Sequence, residues 1–325
     1  MMHSEAKHDT PAELAALRSK HYNASVETLT RHDDSLITMT VRPDQPFAPF
    51  KAGQYATLGL GTWEPTVLGA ASEVLAGTED NPHHLIRRPY SITTSLVDEA
   101  GQLVRAGDRP WLEFLIALVR QPDRAAPAAP GLTPRLFALE EGSRLYLAPK
   151  AHGRYTLQGV QDSANVIFAA TGAGEAPHNA MLAELLYRGH RGRIVSLVCV
   201  RRRHELVYAD AHRRLEQVFA NYRYIAFTTR EPENLDPAHP KYVGKCHVQD
   251  YFTGGYLERE LGLPLDPANT HVFLCGSPAM IVGLPKPGRQ PTPEDRPSMV
   301  ELLEQRGFRV DCPAQPGNIH FEKYW

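Results

Sequence analysis

The sequence predicts two folded domains, an antiparallel β-barrel or sandwich followed by an α/β domain built on a doubly wound parallel sheet. Three observations carry that expectation. At 325 residues the chain exceeds one average domain. From about Tyr22 to Leu157, short β-type runs at 35–41, 54–60, 90–94, 112–119 and 145–147 are broken by Gly and Pro, the spacing of a small all-β domain. After Ser163 strands and helices alternate: a strand at 166–170, a helix at 177–187, a strand at 194–200, a helix through 215–219 and a strand at 224–228. That alternation is what a parallel sheet with helical crossovers requires.

The boundary falls near 159–163, where turn residues separate the two textures, giving domains of 1–160 and 161–325. Residues 1–20 mix His, Glu, Lys and Asp and read as a flexible or helical extension. The helix at 177–187 has Pro177 near its first position, Met181, Leu182, Leu185 and Leu186 on one side, and Gly189 at its end. Further on come a strand at 271–275, a Pro- and Gly-rich stretch at 283–297, a helix at 299–306 closed by Gly307, and an extended segment at 318–325. Two stretches interrupt the first half, 61–85 and an Ala- and Pro-rich loop at 121–131.

Composition narrows the function. Hydrophobic content of 42% and charged content of 22% describe a globular protein. With 35 basic and 37 acidic residues, the net charge of −2 provides no field that would hold a nucleic acid or an anionic membrane. Cys199, Cys246, Cys275 and Cys312 lie far apart and form no C-x-x-C pair, so zinc ribbons, redox dithiols and iron–sulfur ligation are not expected, nor any other metal site. Redox chemistry would then need an organic cofactor. No apolar run approaches the roughly 20 residues that span a bilayer, and residues 1–20 lack a secretory core, so a cytoplasmic location is expected.

Five segments carry chemistry. Arg88-Pro89-Tyr90-Ser91 enters a strand with a forked phosphate donor, an aromatic face and a hydroxyl. Thr171-Gly172-Ala173-Gly174-Glu175-Ala176-Pro177 joins a strand to a helix, where glycines admit a ligand to the backbone and a helix N-terminus favours an anion. Arg201, Arg202 and Arg203, Arg230 and Lys245 follow consecutive strands and suit a ribose 2′-phosphate. Cys275-Gly276-Ser277-Pro278 closes another strand, where α/β sheets bind ligands, and Phe321-Glu322-Lys323-Tyr324-Trp325 ends the sequence with two large rings.

In this order and spacing the five segments resemble ferredoxin-NADP reductase, bacterial type, from about Ala52 to Trp325. The resemblance implies a six-stranded antiparallel barrel that binds FAD and a doubly wound domain that binds NADP, with flavin and nicotinamide meeting at a cleft. It implies that Arg88 holds the FAD pyrophosphate, Tyr90 stacks on the isoalloxazine and Ser91 bonds it near N5, with Pro89 in the same cofactor-binding stretch. Gly153-Arg154-Tyr155-Thr156 resembles the second FAD-contacting stretch. Thr171, Gly172, Gly174, Ala176 and Pro177 match the family's Gly-Thr-Gly-x-Ala-Pro segment, Arg201 and Arg230 its nucleotide arginines, and Lys245 a further basic position. Cys275 falls on the cysteine that approaches the nicotinamide, and Tyr324 or Trp325 on the aromatic that shields the flavin. Ala173, Glu175, His178 and Lys245 depart from the family's usual residues.

The implied reaction is hydride transfer between NADPH and flavin N5, followed by one-electron exchange with ferredoxin or flavodoxin, with Ser91, Cys275, Tyr324 and Trp325 at the reacting rings. Two alternatives share part of the pattern. One is an oxygenase reductase component or free-flavin reductase of the same architecture; the other is a non-catalytic nucleotide-binding sensor.

Overall fold

The computed structural model describes residues 10–67, 83–118, 131–283 and 296–324. Most of the stretches at 61–85, 121–131 and 283–297, together with Trp325, lie outside the described residues. The chain divides into two compact units, Met1–Phe50 with Tyr55–Ser91 and Arg109–His152, and Lys51–Gln54 with Ile92–Asp108 and Gly153–Trp325.

The first unit opens with helix α1 (Pro11–His21), started by a capping box in which Thr10 and Glu13 satisfy each other's backbone amides. Six strands follow: β1 (Ala24–Asp33), β2 (Leu36–Pro43), β3 (Tyr55–Gly61), β4 (Leu85–Ser91), β5 (Leu112–Ala117) and, after the short helix α2 (Leu132–Leu136), β6 (Arg144–Leu147). They form one antiparallel sheet in the order β4-β3-β6-β1-β2-β5, and the outermost strands β4 and β5 come into contact, which nearly closes a barrel. Ile37, Met39, Val41, Leu58, Leu60, Phe114 and Ile116 fill it. Glu64 is buried beside α1 and is held by the Arg18 guanidinium through both oxygens (2.9 and 2.7 Å) and by the Tyr22 hydroxyl at 2.9 Å.

The sequence does not announce β1, because Glu27, Thr28, Thr30, Arg31 and His32 give it more polar than apolar positions. Its hairpin with β2 supplies the pairing that the composition hides. The strand expected at 90–94 lies earlier, at Leu85–Ser91, with Pro89 inside it. A proline is tolerated there because β4 is an edge strand, so its missing N–H costs no ladder bond.

The second unit contains β7 (Asn165–Thr171), α3 (Glu175–Tyr187), β8 (Ile194–Val200), α4 (Ala209–Val218), β9 (Tyr222–Thr228), the short helices α5 (Pro232–Leu235), α6 (Val248–Thr253) and α7 (Tyr256–Glu260), β10 (Thr270–Gly276), α8 (Pro278–Ile281), α9 (Met299–Glu304) and β11 (Ile319–Lys323). All five strands are parallel in the order β11-β10-β7-β8-β9. Every residue of β8 is buried, as expected of a strand covered on both faces. One face packs Ile167, Val195, Leu197, Val272 and Leu274 against Phe252, Leu257 and Leu303 from the short helices.

Helix α3 starts two residues before Pro177, which therefore sits in the first turn, where no intrahelical donor is lost. It is also not one-sided: Glu175, His178 and Asn179 are buried with Met181, Leu182, Leu185 and Leu186. Its end is closed by Gly189 at φ 70°, with the His190 amide donating to the Leu185 carbonyl at 3.0 Å. Among the described residues, no helix is long and apolar enough to cross a membrane.

Candidate functional site

In the first unit, Arg88 and Tyr90 are alternate residues of β4 and so project to the same side of the sheet, about 7 Å apart along the strand. Tyr90 is half-buried, with its hydroxyl 2.9 Å from the Thr133 hydroxyl of α2, which fixes the ring while leaving its plane set by β4. Arg88 donates to the Arg87 carbonyl at 2.9 Å. Pro89 is exposed and Ser91 buried on the alternate side of the strand. These residues therefore supply a forked cation, an oriented ring and a hydroxyl within four positions.

In the second unit the strand order reverses between β7 and β10, and in such sheets the loops leaving the two diverging strands define the ligand crevice. The loop after β7 is the Thr171–Gly174 turn; the loop after β10 is Cys275-Gly276-Ser277. They interlock. The Ser277 amide donates to Thr171 Oγ1 at 2.8 Å. A Cβ on Gly174 would lie 2.3 Å from the Cys275 carbonyl oxygen, and one on Gly276 2.3 Å from Thr171 Oγ1. Gly172 is different: at φ 54° it takes the left-handed conformation, and a Cβ there would meet nothing within 4 Å. Helix α3 begins on Gly174 with no side-chain cap. Its first-turn amides are thus donors that no capping side chain takes up.

The same end of the sheet gathers more of the expected residues. Cys275 is buried, and burial pushes its thiol well above the ordinary value, helped by Glu322 and opposed by a hydrogen bond with Tyr324. It is a neutral thiol at physiological pH. Tyr324 is fixed by its amide donating to the Gly276 carbonyl at 2.9 Å, so two predicted site residues 49 positions apart in sequence meet here. Glu322, not singled out from sequence, is the register partner of Cys275 on β11. Alternation along that strand, with 320, 322 and 324 on one side, is the signal that would have found it.

Arg201 and Arg230 leave the ends of β8 and β9, joined by the Arg230 amide donating to the Arg201 carbonyl at 2.8 Å. The Arg201 Nε donates to Glu205 Oε1 at 2.9 Å and its amide to Oε2 at 3.0 Å, so a buried carboxylate holds one edge of this half-exposed guanidinium. Arg203 instead pairs with Glu233. Asn234 accepts from the Thr228 hydroxyl at 2.8 Å and donates to the Gly244 carbonyl at 3.1 Å, which anchors exposed Lys245 to this same end of the sheet.

Gly153-Arg154-Tyr155-Thr156 belongs to the second unit by its contacts. Tyr155 is directed inward: its hydroxyl lies 2.7 Å from His178 Nε2, and its ring meets Phe273 edge-on at 5.6 Å. Its hydroxyl is therefore engaged inside the protein; Gly153 and exposed Arg154 offer the outward groups. Burial holds His178 neutral, with its pKa lowered to about 3. His320 is lowered to about 4, chiefly by burial, and His190 and His271 shift the same way. Unfolded histidines bind protons from about pH 6.5 downward while these folded ones do so only at lower pH, so stability rises with pH across that window. The expected result is full stability above pH 7 and a loss from His178 alone of about 1.4 kcal/mol per pH unit between about 6 and 4. Urea unfolding at stepped pH measures it, and a His178→Phe variant should flatten the slope.

Residues 168–285 match the oxidoreductase NAD-binding domain family. Over 293 residues the chain is 26% identical to the flavodoxin/ferredoxin-NADP reductase of Shigella flexneri, covering 90% of this chain and 94% of that protein. The chain is similar to flavodoxin/ferredoxin-NADP reductases over most of its length. A second relative of the same name, from Buchnera aphidicola subsp. Baizongia pistaciae, is 22% identical over 93% of this chain and 98% of its own. A ferredoxin NADP+ reductase from Neisseria gonorrhoeae, solved with bound FAD and NADP, shares the fold with a TM-score of 0.65, covering 93% of this chain and 98% of that one at 20% identity. The domain matched at residues 168–285 is that of an oxidoreductase, and both sheets expected from the sequence, the antiparallel and the doubly wound parallel, are present.

Proposed function

We propose that the chain is an FAD-dependent reductase that moves electrons between NADPH and ferredoxin or flavodoxin in the cytoplasm, with residues 1–160 holding FAD and 161–325 holding the pyridine nucleotide. The observation that carries the reading is the turn at the β7/β10 reversal: an uncapped 13-residue helix, an open left-handed Gly172, and a neighbouring strand end packed so closely on Gly174 that no side chain intervenes. A dinucleotide fits those donors. The first unit's donor set fits a flavin dinucleotide by its chemistry, since the Arg88 fork suits a pyrophosphate and the Tyr90 face a planar ring. The relatives' names and the FAD and NADP in the Neisseria protein support both assignments.

When bound, FAD supplies the chemistry of taking two electrons as hydride and passing them on singly. The chain's own residues do the rest. Arg88, Pro89, Tyr90 and Ser91 bind and orient the flavin, with Gly153, Arg154 and Thr156 offering further donors. Thr171, Gly172, Gly174, Ala176 and Pro177 shape the turn that receives the nucleotide, and Arg201, Arg230 and Lys245 select the 2′-phosphate. Cys275, an uncharged buried thiol bonded to Tyr324, stands with Tyr324 and Trp325 for the nicotinamide end of the site. Glu322 places a carboxylate beside that thiol.

A visible spectrum of the purified protein, reconstituted with FAD and then mixed anaerobically with NADPH, tests the reading. The expected result is a flavin band that bleaches with NADPH and recovers on addition of oxidised ferredoxin or flavodoxin. A protein that takes up no FAD, or a flavin band indifferent to NADPH, overturns it; bleaching without transfer to either carrier rejects the partner alone.

A further inference from the structure

Glu175 is the first residue of α3, directly behind the Gly172–Gly174 turn, yet its carboxylate is only 2% exposed and turned into the protein. Its Oε1 accepts from His212 Nε2 at 2.9 Å and from the Tyr224 hydroxyl at 3.4 Å. His212, with no exposed surface, has its Nδ1 2.8 Å from the Tyr222 hydroxyl, and the Tyr224 ring stacks on its imidazole with centroids 4.0 Å apart. Ser196 completes the chain by bonding the Tyr222 oxygen. A carboxylate only accepts, so His212 donates from Nε2, while its Nδ1 shares the second hydrogen bond with the Tyr222 hydroxyl. Arg213, the cation near Tyr224, is itself paired with Asp210 at 2.6 Å.

The Glu175 carboxylate stands at the positive end of α3, the same helix end that the nucleotide reading assigns to a pyrophosphate. We propose that Glu175 is an affinity-setting residue, a buried negative charge that weakens the hold of the turn on pyridine nucleotide so that the oxidised product leaves readily. The inference rests on the nucleotide reading above. Because the pyrophosphate is common to NADP+ and NAD+, the effect is the same for both, unlike that of the 2′-phosphate residues.

Calorimetric titration of the FAD-loaded protein with NADP+ and NAD+ decides it, alongside kcat and KM for NADPH. Glu175→Gln keeps the acceptor facing His212 and removes the charge; it is expected to tighten both nucleotides by about fivefold or more, lower the KM in proportion, and move the melting temperature little. Tyr224→Phe, which removes a donor and no charge, should leave both affinities within twofold. If Glu175→Gln folds poorly, the paired change Glu175→Ile with His212→Phe removes the charge and its partner together, and the same tightening is expected. Unchanged or weaker binding in the charge-free variants overturns the proposal while the nucleotide reading stands. A wild-type protein that binds neither nucleotide overturns both.

Discussion

Arg201→Ala is expected to weaken NADPH binding tenfold to a hundredfold while changing NADH binding by less than about threefold, the loss of one charge-assisted phosphate contact. The two nucleotides differ only at the ribose 2′ position, so the ratio isolates that contact. Three neighbouring arginines are not equivalent for this purpose. Arg203 is committed to Glu233, and Arg202 is exposed on the connection that follows β8. Arg201 is aimed: buried Glu205 grips its Nε and its own backbone amide, so the planar group is oriented before any ligand arrives. For the same reason Arg201→Lys should recover little, because a point charge cannot reproduce a fork held along one edge. Fluorescence titration with both nucleotides measures the ratio, and equal losses for NADPH and NADH would move the phosphate site elsewhere.

What the sequence reveals of this protein follows from how local each feature is. The parallel sheet is legible because its strands are short apolar runs between helices; β8 coincides with the expected 194–200. The Thr171 turn is legible because a glycine pair between strand and helix has few other uses. By contrast β1 is hidden by its polar positions, and α5, α6 and α7 by a Pro- and His-rich composition that offers no helical period. The departures Glu175 and His178 show the limit at the site itself. Each is a polar residue in a buried helix turn, and each is satisfied by a partner 37 or 23 positions away, His212 and Tyr155. No local pattern connects those pairs; only the packing of α3 on its neighbours does. Likewise the Cys275–Tyr324 bond needs the β10/β11 register before it can be seen.

Gly276→Ala should be strongly damaging to the second unit, costing at least about 4 kcal/mol. Two independent penalties coincide there. Its φ of 119° belongs to a region that residues with a Cβ avoid, and the added carbon would sit 2.3 Å from Thr171 Oγ1 and 2.5 Å from the Thr171 carbonyl oxygen. The second contact is with backbone of β7, the central strand, so relief requires β10 or β7 to shift. A shift also breaks the Ser277 amide bond to Thr171 and carries Gly172 with it, so nucleotide binding is lost along with stability. Gly172→Ala supplies the contrast: with open space around it and φ of 54°, the cost in stability is confined to about 1 kcal/mol of backbone strain. Urea unfolding of the two variants separates the contributions. If Gly276→Ala is no more destabilising than Gly172→Ala, the close approach of the two strand ends is not a constraint on the fold, and the turn they form is not rigid enough to preorganise a dinucleotide site.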